Sequence, residues 1–244
     1  MADDDPTSDT DDGISIEAGR APGWLQDPLR KPITALVRRL WDFTIEGIEN
    51  VPTEGPVLLT PNHLSFIDSP FVMALSPRRT LAVGKGEYMN SWKTKHVFPA
   101  FGMVPIDRSG GQAAVDTLNN VAGWLGAGEA FLIYPEGTRT RDGYLHRGRT
   151  GAVRLALRTG APIVPVGLIG TDEIQPIDTV LPKFGAPCTV RFGEAIDVAA
   201  RSGGQDNRRM LRSLTDELMY EISELSEQAY SDTYGDEEPE PLSA

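Results

Sequence analysis

The stretch PVLLTPNHLSFIDSPFVMAL, residues 56–75, holds a strand, a loop and a helix start in succession. PVLLT (56–60) is a short apolar run of buried-strand character. Pro61, Asn62 and Ser65 favour a turn. SPFVMAL (69–75) resumes as a helix, with Pro70 suited to a first helical position. Between them stand His63 and Asp68. On one regular helix, a five-residue separation would set Asp68 about 140° from His63. The pair meets only if His63 lies in the loop and the chain turns before Asp68. The same residues also read as a capping box, Ser65-x-x-Asp68, with the aspartate stabilising the helix start. Locally both readings stand.

Outward from this unit the alternation continues. β-rich runs occur at 43–48, 80–84, 103–107, 130–134, 162–168 and 188–192, with helical patterns at 112–125, 149–160 and about 206–230. Strands alternating with helices predict an α/β fold with a mixed, largely parallel central sheet flanked by helices. In such folds functional groups collect in loops beyond the carboxyl ends of strands.

The chain has 244 residues and a formal charge of -12, but the charge is concentrated at its ends. Residues 1–12 hold six Asp and 231–244 hold five acidic residues, neither with a Lys or Arg; the body, 13–230, has 24 acidic and 23 basic side chains. The expected organisation is an acidic disordered arm over 1–20, one domain over 21–230, and an acidic disordered tail over 231–244. A near-neutral body gives no support for nucleic-acid binding. Cys188 is the single cysteine, so no intrachain disulfide forms, which fits a reducing compartment; its place in CTVRF reads as a small buried residue. No secretory signal is visible, and the longest apolar stretch, 161–170, is half of the ~20 residues that span a bilayer.

Residues 22–43 predict an amphipathic helix. Leu29, Ile33, Leu36, Val37, Leu40 and Trp41 share one face, while Arg30, Lys31, Arg38 and Arg39 lie largely off it. Such a helix either docks on the core or lies in a membrane surface, with its cations near anionic lipid.

Two further loops carry chemistry. In FGMVPIDRSGG an apolar strand delivers Asp107 and Arg108 to a Ser/Gly turn, where a guanidinium and backbone N–H groups suit a phosphate. In YPEGTRTRDG, Pro135 stops a buried strand, Gly137 permits a tight turn, and Glu136, Arg139 and Arg141 project from a short connection. An ion pair between turns and a solvated loop are the plain alternatives. Together the three loops describe a general base beside a phosphate receptor, suited to an acceptor with a hydroxyl near its phosphate.

NHLSFID, FGMVPIDR, YPEGTR and IVPVG, in this order, resemble the four motifs of the glycerolipid acyltransferases, and more narrowly the 1-acylglycerol-3-phosphate (lysophosphatidate) acyltransferases. The likeness runs from about Trp41 to Phe192. It implies transfer of a fatty acyl group from a thioester, acyl-CoA or acyl carrier protein, to the 2-hydroxyl of lysophosphatidate, giving phosphatidate without a cofactor or metal. His63 would be the general base and Asp68 its orienting carboxylate, with Ser65 no nucleophile. Lys85, Arg108, Glu136, Gly137, Thr138 and Arg139 would bind the acceptor's phosphate and glycerol. Pro165 would serve the acyl donor or the packing of the site. The resemblance also favours the membrane-surface reading of the 22–43 helix, hence a peripheral protein on the cytoplasmic face of the membrane. The segment NSWKTKHVFPA (90–100) departs from the family's commoner short apolar helix, so the shape of the acyl channel does not carry over. His96 and His146 are isolated and read as structural or solvent-facing.

Three rivals are distinguishable. Another lysophospholipid or glycolipid acceptor would keep the chemistry. A hydrolase using Ser65 lacks a G-x-S-x-G elbow. A silent binding module would be indifferent to the loss of His63.

Overall fold

The computed structural model describes residues 22–85, 96–106 and 112–236. Its strands, in chain order, are β1 (Asp42–Glu46), β2 (Val57–Pro61), β3 (Thr80–Lys85), β4 (Met103–Ile106), β5 (Ala130–Leu132), β6 (Leu145–His146), β7 (Ile163–Ile169), β8 (Pro187–Phe192) and β9 (Tyr230–Ser231). The helices are α1 (Gln26–Leu40), α2 (Asp68–Leu75), α3 (Val97–Ala100), α4 (Gln112–Gly126), α5 (Gly151–Thr159), α6 (Thr171–Ile174), α7 (Val198–Ser202) and α8 (Arg208–Ser226). Seven strands form one sheet in the order β1-β8-β7-β2-β5-β3-β4. Every pairing in it is parallel except β7 with β8. The fold is therefore α/β with a mixed, largely parallel sheet.

β2 lies near the centre, between β5 and β7, and both its faces are covered. Alternation along it decides which side each residue serves. Val57 and Leu59 join a cluster with Phe71, Val72, Leu132, Val166 and Leu168, while Leu58 points into a second cluster with Leu125, Phe131, Leu155 and Ile222. Each large side chain buried in these layers contributes about 1.5–3 kcal/mol. Cys188 belongs to the first cluster at 2% exposure, and burial pushes its thiol up to about 12.

α8 crosses the sheet over β7, burying Leu211, Leu218, Met219 and Ile222. Asn207 caps it by accepting a bond from Met210 N at 3.0 Å. A Cβ added at Gly167 would stand 2.3 Å from the Leu225 backbone, so only glycine lets helix and strand approach this closely.

The observed α1 divides the expected apolar stripe. Val37 and Leu40 pack on the core, and Thr34 Oγ1 donates to Ala74 O of α2, but Leu36 stays 56% exposed. Among the described residues no helix is long and apolar enough to cross a membrane.

Residues 231–236, expected to belong to a free tail, are held against the domain. α8 ends at Ser226, Glu227 takes a left-handed conformation at φ 59°, and β9 pairs in parallel with β6. Arg147 N then donates to Thr233 O at 2.9 Å, and Arg149 holds both Asp236 oxygens at 2.7 Å. The acidic residues 232 and 236 meet arginines contributed by distant sequence, which composition alone does not register. The expected acidic arm over 1–20 and residues 237–244 lie outside the described residues.

Candidate active site

β2, β5 and β7 are parallel, so their carboxyl ends share one edge of the sheet, and the loops after them meet there. Past Pro61, Asn62 continues the sheet with its side chain. Its Oδ1 accepts from Leu168 N at 2.8 Å, and its Nδ2 donates to Leu168 O at 2.9 Å and to Gln228 Oε1 at 2.6 Å. The carboxamide reproduces a strand residue's donor and acceptor, which releases the backbone to turn.

His63, Leu64 and Ser65 are irregular, and the helix begins at Asp68. The buried Asp68 carboxylate folds back over this turn. One oxygen, Oδ2, accepts from His63 Nδ1 at 2.9 Å, from Leu64 N at 2.8 Å and from Ser65 N at 2.8 Å. The bond to Ser65 N is half of a capping box. The reciprocal bond does not form: Asp68 N donates to Ser65 O, while Ser65 Oγ accepts from Ile67 N at 3.4 Å and donates to Gln175 O at 2.6 Å. One oxygen thus braces the loop backbone and the histidine together, ahead of a helix whose first turn has no side-chain cap, and Ser65 is a fully buried strut.

Tyr134, at the end of the run before Pro135, supplies a second restraint. Its ring stacks on the His63 imidazole with centroids 3.6 Å apart and planes 13° from parallel. Its hydroxyl pairs with Ser69 Oγ at 2.7 Å. Burial, then the nearby Asp68 charge, pushes the phenol well above its usual range, so it presents a neutral face. With Nδ1 on a carboxylate and one ring face covered, the imidazole is fixed in orientation, and Nε2 carries the basic lone pair.

Glu136 has a different place from the one the motif resemblance suggests. It is 1% exposed, and its oxygens accept from two backbone groups, Oε1 from His63 N at 3.1 Å and Oε2 from His146 N at 3.0 Å. It clamps the histidine loop to β6 instead of facing outward to a substrate. Desolvation lifts its titration from 4.5 to about 7 against the opposing pull of those two bonds. His146, expected to be isolated, is buried and wired into this clamp. Its ring lies 3.0 Å from Asp142 Oδ1 and 3.2 Å from Thr233 Oγ1.

Gly137 has φ 79° and donates to Tyr134 O at 3.2 Å, closing the turn after the strand. A Cβ there would be strained and would stand 3.2 Å from Arg149 Nε. Thr138 and Arg139 are half-buried and Arg141 is exposed; among the described residues neither arginine pairs with a carboxylate. The sheet register sets Lys85 opposite Ile106. Arg108, with Asp107, lies outside the described residues, as do 90–95 of the departing segment. Pro165 is buried in β7, accepts a backbone bond from Gly193 at 2.8 Å and packs where a Cβ on Gly193 would stand 2.8 Å from its ring. Among the described residues no group of three or more His, Cys, Asp or Glu could hold a metal ion.

Sequence reasoning gave Tyr134 no role, and it read Asn62 only as a turn former and His146 only as structural or solvent-facing. Tyr134 had one local signal, a polar-tipped aromatic at the end of an apolar run where the strand meets its loop.

A histidine fixed by a buried carboxylate, on a loop at the carboxyl edge of an α/β sheet and beside an arginine turn, is the arrangement of an acyltransferase-type site. The chain belongs to the acyltransferase family, whose model matches residues 42–169, just over half of it. It is 30% identical over 165 residues to a chloroplastic 1-acyl-sn-glycerol-3-phosphate acyltransferase of Arabidopsis thaliana, covering 62% of this chain and 45% of that protein. A 1-acyl-sn-glycerol-3-phosphate acyltransferase of Borreliella burgdorferi is 25% identical over 154 residues, covering 63% and 61%. The chain spans about half the length of the curated relatives it matches. The crystal structure of the 1-acyl-sn-glycerophosphate acyltransferase PlsC from Thermotoga maritima shares the fold, with a TM-score of 0.63, 22% identity, and coverage of 82% of this chain and 80% of that one.

Proposed function

We propose that the protein is a 1-acylglycerol-3-phosphate O-acyltransferase that moves a fatty acyl group from acyl-CoA or acyl carrier protein to the 2-hydroxyl of lysophosphatidate. The His63–Asp68 contact at 2.9 Å, with Asp68 held by two backbone N–H groups, is the observation that carries this reading. The names of the relatives support the choice of acceptor. His63 Nε2 takes the hydroxyl proton as the oxygen attacks the thioester carbonyl. The tetrahedral intermediate collapses with cleavage of the C–S bond, and the departing thiolate receives the proton from the imidazolium. Asp68 supports the imidazolium charge, and no acyl-enzyme forms. Arg139, with Arg108 and Lys85, would hold the acceptor phosphate, while Glu136 and Gly137 shape the turn that presents them. α1, with Leu36 exposed beside its cations, would lie in the membrane surface on the cytoplasmic side, where such amphiphiles reside.

The test is release of free CoA from oleoyl-CoA by the purified chain, with and without lysophosphatidate, beside His63→Ala. Release requiring both the acceptor and His63 is expected, with turnover in the variant lower by roughly 10²–10⁴. Release without acceptor would mark a thioesterase and overturn the proposal. Silence with lysophosphatidate but turnover of another lysolipid, or of a carrier-protein donor, would reassign the substrate.

A further inference from the structure

The three most exposed large apolar side chains among the described residues are Val180 (87%), Leu181 (80%) and Phe184 (66%), all within five positions. They stand at the tip of the connection between α6 and β8, and this connection is braced at its base. Gln175 Nε2 donates to Val180 O at 3.0 Å and to Thr179 O at 3.3 Å, and Lys183 N donates to Ile174 O at 2.8 Å. α1 closes the other side. Gly185 N donates to Leu40 O at 2.8 Å, Trp41 Nε1 donates to Lys183 O at 2.7 Å, and the Phe184 ring packs 5.2 Å from the Trp41 ring. The apolar tip is therefore held out into solvent by a stiff scaffold.

Its surroundings identify what it meets. Lys183 lies in the connection itself, and Arg38 and Arg39 form the exposed last turn of the adjoining helix. None of the three pairs with a carboxylate among the described residues; Asp178 is the one acidic side chain of the 175–186 segment, and the exposed Asp42, Asp172 and Glu173 stand in β1 and α6 at its base. Three side chains are too few for a stable protein interface, which buries about 800 Å² on each partner. Two copies meeting here would also set their cations against each other. Apolar side chains flanked by cations match the boundary between acyl chains and anionic headgroups.

We infer that the 175–186 connection is a second membrane-docking element, a rigid apolar prong that acts with α1 on an anionic lipid bilayer. The inference rests on the membrane-surface reading of α1 and adds a function to it. Ser65, two residues from His63, donates to Gln175 O at the base of the prong. Insertion of the prong therefore fixes the height of the catalytic loop above the lipid surface, where an acceptor's hydroxyl would be presented.

The experiment is co-sedimentation of the full chain with vesicles of phosphatidylglycerol and phosphatidylcholine in equal parts, beside the double variant Leu181→Asp/Phe184→Asp. Leu181 is largely free of packing and Phe184 gives up only its contact with Trp41, so the melting temperature should fall by a few degrees at most. Vesicle binding should weaken roughly tenfold or more, since each lost apolar contact counts separately. Turnover of a monomeric short-chain lysophosphatidate with a soluble donor should stay within about twofold, because the dyad is untouched. A fluorophore on Leu181→Cys should blue-shift on these vesicles, with labelling confined to that position because Cys188 is buried. Undiminished vesicle binding by the double variant, or no blue shift, would overturn the prong while leaving α1's role intact. A wild-type chain that ignores the vesicles would overturn both. A chain that binds them yet transfers no acyl group would overturn the transferase reading alone.

Discussion

The Asp68 carboxylate unites two requirements that usually fall to different residues. Its Oδ2 accepts three N–H groups, two from the backbone and one from the imidazole, so the backbone fixes the oxygen on which His63 is aimed. Asp68→Asn keeps the shape and an oxygen for the backbone bonds but removes the charge that supports an imidazolium. Turnover should fall by about 10²–10⁴, while stability falls by roughly 1–3 kcal/mol. Paired measurements of kcat and urea midpoint separate the two. A variant with near-normal kcat would reduce Asp68 to a brace of the loop backbone. Tyr134 divides in the same way. Tyr134→Phe keeps the ring on His63 and loses only the bond to Ser69, so stability should drop by about 1 kcal/mol with activity largely kept. Tyr134→Leu removes the stacked face, and kcat should fall well beyond the Phe variant. Equal kcat in both would show that stacking does not orient the base.

The elements around the site are joined by Glu136, which ties the loop after β2 to β6, 73 and 10 positions away in sequence. Its carboxyl titrates at about 7 in the folded chain instead of 4.5, chiefly through burial. Below 4.5 both folded and unfolded chains hold the proton. Between 4.5 and 7 the unfolded chain releases it first, so this group's stabilisation declines as pH rises and levels off above 7. The whole change is on the order of 3 kcal/mol. Glu136→Gln removes the titration, so the wild-type-minus-variant stability difference should fall across that window; a flat difference would show an ordinary carboxyl. This clamp also marks the limit of what sequence conveys. The strands of the main sheet and the long helices were legible because their patterns are local, and a His63–Asp68 contact was legible as one of two readings because six residues contain it. Glu136 was visible as a motif residue, but its inward role depends on N–H groups elsewhere. Asn62 reads as a turn former until Leu168, 106 positions on, supplies its partner. β6 and β9 have two residues each, too few for any period.

At the scale of the molecule, the 230–236 segment is linked to the site through His146. β9 pairs with β6, Thr233 faces the His146 ring, and His146 N donates to Glu136, which holds His63 N. Tyr234 adds to this arrangement, with the Arg149 guanidinium 5.1 Å and that of Arg147 5.7 Å from its ring centroid. The exposed Arg149–Asp236 pair contributes little alone, about 0–1 kcal/mol. The backbone pairing matters more, because it gives His146 a packed wall. A chain ending at Asp236 keeps every contact named above and serves as the reference. A chain ending at Ala229 loses β9, the Thr233 contacts and the arginine–tyrosine packing together. Its stability should fall by roughly 1–3 kcal/mol, the usual range for such losses, and kcat should fall as Glu136 gains freedom. Thermal melting and CoA release on the two truncations decide the point. A loss that appears only when 237–244 are removed would place the contribution in residues beyond Asp236. No loss in either would make the 230–236 segment a passenger on β6, and the acidic end of the chain would then owe nothing to the site.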